Sequence, residues 1–271
     1  MQHTGTPRPA AQLPPEGSRR IPVWKRVLDV ACILFAAPTL LPVMVLLAIL
    51  IKCVSRGPVF FRQERVGYFG SRFQCFKFRT MVATNDQTTH HRHVEELMAA
   101  NVPMTKLDAK GDPRIIPMGR LLRATGLDEL PQLINVLRGE MSLVGPRPCL
   151  PVEYARYQSW QKERFSTLPG LTGLWQVSGK NRTTFVEMVQ LDIQYARELS
   201  LWNDLQILLR TLPAVIVQTQ EMVDGAAGSG DSPRSRRATA LNTGSAALRS
   251  GRLPTVAFSK STRMPRVEEG L

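Results

Sequence analysis

From Val30 to Ile51 the chain runs for 22 residues without a charge. As a helix that run would be about 33 Å long, enough to cross the hydrocarbon core of a bilayer. It is long for a signal peptide, and no small-residue cleavage site follows it. Two features argue against a simple span. Pro38 and Pro42 fall in its middle, where each removes a backbone donor and favours a kink. Lys25 and Arg26 precede the run, while Lys52, Arg56, Arg62 and Arg65 follow it. The positive-inside rule then draws both ends to the cytoplasmic face. A helix broken near Pro38 that enters and leaves by one side satisfies both facts. On the residues alone a single spanning helix stays open beside it.

The formal net charge of +13 calls for a polyanionic partner: nucleic acid, anionic lipid or a phosphorylated substrate. A nucleic-acid-binding protein explains the charge but not the uncharged run, and no nucleic-acid partner is expected. Cys32, Cys53, Cys75 and Cys149 lie far apart with no CxxC pair. They read as reduced thiols, neither a disulfide framework nor a zinc site.

The chain divides by composition. Residues 1–20 read as a disordered lead-in and 21–56 as the membrane segment with basic flanks. Residues 57–200 read as one mixed α+β domain, predominantly helical, with a small β-hairpin or sheet. Pro58–Phe61 and Phe73–Arg79 are its strands, joined through a Gly67…Gly70 turn, with Lys77 and Arg79 projecting from the face opposite Phe76 and Phe78. His90, His91 and His93 lie in a polar stretch and read as solvated. Residues 201–221 read as an amphipathic helix near the membrane, broken by Pro213. Residues 222–271, rich in Gly, Ala, Ser and Arg, read as a disordered basic tail.

Within the domain, Pro131 suits a first helical position and Gly139 a helix stop, with Leu133, Ile134 and Leu137 as the apolar stripe between them. Asp128 and Glu129 therefore stand at a helix N-terminus. Such a pair can simply cap the helix and complement its dipole. It can also hold Mg²⁺, or attack phosphorus to form an acyl phosphate. Lys77, Arg79, Arg114, Arg123 and Arg147 supply cations able to grip phosphates. The prolines of Gly145-Pro-Arg-Pro148 keep Arg147 in an extended frame. Thr184 and Glu187 form a capping box that opens a helix whose apolar face is Phe185, Met188, Val189, Ala196 and Leu199. Asp192 and Tyr195 lie inside that stripe, and an acid there needs a partner or a task. No phosphate-cradling glycine loop is present, which argues against a P-loop nucleotide hydrolase.

The runs Gly57-Pro-Val-Phe-Phe-Arg-Gln-Glu-Arg-Val-Gly67, Phe76-Lys-Phe-Arg-Thr-Met81, Leu127 to Pro148, Pro169 to Gly179 and Leu191-Asp-Ile-Gln-Tyr195 resemble, in order, the bacterial sugar transferase family. These are monotopic polyprenyl-phosphate phosphoglycosyltransferases. The resemblance covers roughly residues 22–220 and implies a re-entrant helix on the cytoplasmic face of the bacterial inner membrane. It implies a ping-pong reaction in which Asp128 attacks the β-phosphate of a UDP-sugar and releases UMP. The phosphosugar then passes to undecaprenyl phosphate. Glu129 matches the second acid of the dyad, associated with Mg²⁺, so that Asp128 and Glu129 are both metal-ligand candidates. Arg147 is expected at the nucleotide or its phosphates, and Lys77, Arg79 and Asp192 fall on motifs. Ala37-Pro38 replaces the Ser-Pro many members carry at the bend. The exopolysaccharide-initiating members are the nearest in form, which implies UDP-glucose or UDP-galactose, with a UDP-N-acetylhexosamine as the alternative. A non-enzymatic membrane adaptor is the remaining rival. Anionic lipids are expected partners of the basic flanks.

Overall fold

The computed structural model describes residues 21–82, 114–179, 183–211 and 213–214. The expected lead-in, the histidine stretch and the basic tail lie outside the described residues. The fold is mixed α/β and mostly helical, with one long apolar N-terminal helix and two small sheets.

Helix α1, Val23–Val54, is helical through both prolines. The helical backbone is not broken at Pro38: each proline costs one backbone donor, and the turns on either side persist. Lys25, Asp29, Ile33, Leu47 and Ile51 are buried, and with Leu40 and Met44 they recur every three to four residues or a multiple. That spacing is one helix face, and its buried residues fall at the two ends of α1, Lys25 to Ile33 and Leu47 to Ile51. Its other face is apolar and bare: Leu34, Phe35, Leu41, Val45, Leu46 and Ile49 are all exposed, Phe35 to 91%. Burial on one side and bare hydrocarbon on the other suit a helix placed between protein and lipid.

Strands β1 (Phe60–Val66) and β2 (Arg72–Phe78) form an antiparallel hairpin. The hairpin was expected, but its first strand runs on to Val66 where Phe61 was taken as the end. Register pairs Phe61 with Lys77, Gln63 with Cys75 and Arg65 with Phe73, which puts these six residues on one face. Arg79 corrects another expectation. It lies past the end of β2, only 6% exposed, and donates to the carbonyls of Ser55 (2.8 Å) and Arg56. The last carbonyls of a helix lack intrahelical partners and attract such a cation.

The chain continues through α2 (Gly119–Thr125), a 3₁₀ turn (Leu127–Glu129) and α3 (Gln132–Arg138). Gly139 ends α3 at φ 79°, as its sequence position suggested. The stripe of α3 differs from expectation: Leu133 and Val136 are buried, whereas Leu137 is exposed. Strand β3 (Ser142–Val144) then pairs in parallel with β4 (Gly170–Thr172), a second sheet that the sequence reading did not contain. Between and after them come α4 (Pro151–Arg156), a 3₁₀ segment (Ser159–Ser166), α5 (Leu174–Val177), α6 (Phe185–Arg197) and a helix α7 over 201–211. The Thr184–Glu187 capping box is formed, with Thr184 N donating to Glu187 Oε2 at 2.8 Å.

One core cluster joins Ile33 of α1 to Phe73, Val136, Met141, Val144, Tyr195 and Ile207, so α1 contributes to the domain's own core. Its N-terminal turns are fixed by buried polar groups. Lys25 Nζ donates to Asp204 Oδ2 (2.6 Å), Tyr195 Oη (2.9 Å) and Val144 O (2.8 Å). Asp29 Oδ1 accepts from Ser142 Oγ (3.0 Å) and Leu143 N (2.9 Å). All four cysteines are free thiols.

Candidate active site

Asp128 and Glu129 occupy the 3₁₀ turn that precedes α3, whose N-cap is Pro131, so the helix begins one residue later than expected. The helix behind them has only 7 residues, so its dipole supplies less than a long helix would. Asn135 fixes the pair. Its Oδ1 accepts from Phe76 N at 3.1 Å, and its Nδ2 donates to Gln74 O at 2.7 Å and to Glu140 Oε2 at 2.6 Å. Wholly buried, Asn135 stitches α3 to β2 and so brings Lys77 opposite the acids. Lys77 Nζ donates to Glu129 Oε1 at 2.6 Å. Asp128 is 7% exposed beside this pair.

Cys75 lies one step along the same strand face. Burial lifts its thiol above the ordinary value, and the charges acting on it are those of Lys77, Arg65, Glu129 and Arg147. That one thiol thus marks where two cations from outside the acid pair approach it. Arg65 is buried, donates to Gln63 Oε1 at 2.7 Å and to Pro148 O at 3.2 Å, and is held below its ordinary value by burial and by the neighbouring Arg147.

Arg147 sits in a turn with almost no freedom. Gly145 N donates to Thr172 O and Gly170 N to Pro146 O, both at 2.8 Å. A Cβ on Gly145 would meet Leu168 O at 2.2 Å, and one on Gly170 would meet Gly145 N at 2.1 Å. The Gly-Pro-Arg-Pro and Pro-Gly-Leu-Thr-Gly motifs are therefore two halves of one backbone junction. Asp192 answers the question its position raised: it forms a buried ion pair with Arg164, whose Nη2 also donates to Arg147 O at 2.9 Å. Burial pushes the Asp192 carboxyl up to about 6, opposed by Arg164 and Arg147.

Of the expected site residues, Asp128 and Glu129 share one turn and Lys77 pairs with Glu129, while Arg147 acts electrostatically on Cys75 of the same strand and its carbonyl is held by Arg164, the partner of Asp192. Arg79 is at the end of α1 instead. Arg123 donates to Thr80 Oγ1 (3.5 Å) and Met81 Sδ (3.2 Å), and the Arg114 carbonyl accepts from Val82 N (2.8 Å). Both belong to the segment after β2. Sequence reasoning missed Asn135, Arg65 and Arg164 as site-building residues. The first falls outside the stripe expected from Leu133, Ile134 and Leu137, so the sequence did not mark it. Among the described residues no group of three or more His, Cys, Asp and Glu is arranged to enclose a metal. Two adjacent carboxylates do fit Mg²⁺, which commonly takes one or two of them and completes its shell with water and phosphate oxygens.

Residues 20–218 match the bacterial sugar transferase family. The chain is 48% identical over 164 residues to galactosyl transferase CpsE of Streptococcus agalactiae, covering 60% of this chain and 36% of that protein. It is 39% identical over 193 residues to the exopolysaccharide production protein ExoY of Sinorhizobium fredii, covering 71% and 85%. It is 40% identical over 219 residues to the UDP-glucose:undecaprenyl-phosphate glucose-1-phosphate transferase of Caulobacter vibrioides, covering 78% and 75%. The chain thus spans about a third of the first of these proteins and most of the other two.

Proposed function

The chain belongs to the bacterial sugar transferase family, and we propose that it transfers a hexose 1-phosphate from a UDP-hexose to undecaprenyl phosphate, an initiating step of exopolysaccharide synthesis. The observation that carries this reading is the Asp128–Glu129 turn held against Lys77, with Arg147 and Arg65 acting on the same strand face. An acid pair alone repels a diphosphate, and Lys77 and Arg147 offset that repulsion. Relatives named for glucose and galactose transfer support a hexose, and a UDP-N-acetylhexosamine is the alternative.

Asp128 is the nucleophile in this reading. One of its carboxylate oxygens attacks the β-phosphorus while the bond from that phosphorus to the bridging oxygen breaks. UMP leaves with that oxygen, and the sugar phosphate stays on Asp128 as an acyl phosphate. An oxygen of undecaprenyl phosphate then attacks the same phosphorus, the bond to Asp128 breaks, and the carboxylate is restored. Lys77 orients Glu129 and lowers the charge facing the donor. Mg²⁺ bound through Asp128 and Glu129 would supply further charge neutralisation on the phosphate oxygens.

The same reading gives α1 a re-entrant course at the cytoplasmic face. Its support is that both ends of α1 are fixed to one domain: Lys25 to Val144 and Asp204, and the carbonyls of Ser55 and Arg56 to Arg79. A helix crossing to the opposite side would carry one end away from these partners.

The test is intact-protein mass after mixing full-length protein with UDP-sugar and Mg²⁺ but no acceptor. A phosphosugar increment on the wild type and none on Asp128→Asn is the expected result. An adduct that persists on Asp128→Asn would remove Asp128 from the nucleophile's role. Running the mixture over a panel of UDP-sugars identifies the donor.

A further inference from the structure

The side chain of Arg147 projects from a turn whose two successive carbonyls are each taken by a different buried guanidinium. Arg164 donates through Nη2 to Arg147 O at 2.9 Å, and Arg65 through Nη1 to Pro148 O at 3.2 Å. Arg164 comes from the 3₁₀ segment after α4, and Arg65 from β1. The next residue is tied as well, since Val66 N donates to Cys149 O at 2.9 Å.

Neither guanidinium is placed for solvent. Arg164 is 1% exposed and Arg65 6%. A buried cation costs several kcal/mol unless paired. Arg164 is paired twice over: with the Asp192 carboxylate, and through Nη1 with Tyr157 Oη at 2.8 Å. The pair is thus retained at a cost, in a place where an apolar contact of the same volume would hold α6 to the 3₁₀ segment equally well. What apolar residues cannot do is donate to the Arg147 carbonyl while being fixed at their far end by an acid.

We infer that Arg164, anchored by Asp192 and aided by Arg65, is a positioning residue that sets the direction in which Arg147 meets the diphosphate of the donor. Asp192 then acts on the donor through Arg164 and Arg147, not by contact. The inference rests on the reading above that Arg147 binds the donor's phosphates. Misplacing a positioning group by about 1 Å can cost about a hundredfold in rate, and because the clamp acts on a group that holds the donor, its loss is read as weakened donor binding.

The experiment measures UDP-glucose affinity in full-length, membrane-inserted protein carrying Asp128→Asn to prevent turnover. It compares Arg147→Gln, Arg164→Lys and the double variant. Arg164→Lys keeps the charge beside Asp192 but cannot reach both Tyr157 and the Arg147 carbonyl. Arg147→Gln and Arg164→Lys should each weaken UDP-glucose at least tenfold, and the double variant should bind no worse than Arg147→Gln. In turnover assays on the Asp128 protein, KM for undecaprenyl phosphate should not change. Tyr157→Phe removes one partner of Arg164 more gently and should give a smaller loss of the same kind, which keeps the test open if Arg164→Lys does not fold. Wild-type affinity in both Arg164→Lys and Tyr157→Phe, with Arg147→Gln weakened, overturns the positioning role alone. Losses that multiply in the double variant overturn it too. Unchanged affinity in Arg147→Gln overturns the phosphate reading on which it rests.

Discussion

At the scale of single residues, charge at this site is set by burial more than by number. Lys77 and Glu129 pair at 2.6 Å with both side chains partly open to solvent, and such a pair adds little to stability. Asp192 is the opposite case. Its carboxyl is pushed from 3.8 up to about 6 by burial, while Arg164 and Arg147 pull it down. Between those two values the folded chain keeps a proton that the unfolded chain has lost, so this group's contribution to stability declines as pH rises through that window. Above about 6 Asp192 is ionised and anchors Arg164, which also faces the Tyr157 hydroxyl. Lowering pH through about 6 should therefore weaken UDP-glucose binding. The effect is sharpened by a donor diphosphate that does not itself titrate there. In Asp192→Asn the step should be absent and binding weak throughout. A step that survives this substitution belongs to a different group. The sequence disclosed that Asp192 needed a partner, because an acid inside an apolar helical stripe does. It could not disclose Arg164, which stands 28 residues away in a segment without regular periodicity.

Among the elements, those that follow a hydrophobic period were legible and those that follow backbone contact were not. The alternation around Phe76 and Phe78 marked β2, and the capping box marked the start of α6. The parallel pair β3–β4 has three residues in each strand and lies among glycines and prolines, where side-chain patterning carries no signal. What specifies it is the closeness of two backbones at Gly145 and Gly170. This has a direct test. In Gly145→Ala the added methyl meets a carbonyl of the main chain, which cannot swing aside as a side chain can. The variant should lose about 1–3 kcal/mol of stability or more, seen as a lowered melting temperature in detergent. It should also bind UDP-glucose poorly even below that temperature, because Arg147 is carried by the same turn. A variant with wild-type melting and affinity would show that the junction opens more easily than its contacts indicate.

For the whole molecule, the question is on which side of the bilayer the two ends of α1 lie. The uncharged run and its basic flanks were plain in the sequence, while the residues alone left a spanning helix open beside a re-entrant one. The buried stripe from Lys25 to Ile51 was not, since it mixes two charged residues with aliphatic ones and reads as apolar on every side. Cysteine labelling of intact and permeabilised cells, with single reporters near residues 20 and 60, should find both positions only after permeabilisation of the inner membrane. Labelling from opposite sides would restore a spanning helix and contradict the re-entrant reading.

The ion pair of Lys25 with Asp204 has a consequence for how the protein is made. The two residues are 179 apart in the chain. At about 5–20 residues per second, the ribosome delivers Asp204 about 10–35 seconds after Lys25. Throughout that interval the helix is available to the membrane while its lysine lacks the acid that will neutralise it. A lysine in that state holds its ammonium at the headgroup layer, so the nascent helix should wait at the surface and seat only when the last helices arrive. Stalling synthesis before Asp204 should then leave α1 extractable by alkaline wash, and stalling after α7 has emerged should leave it resistant.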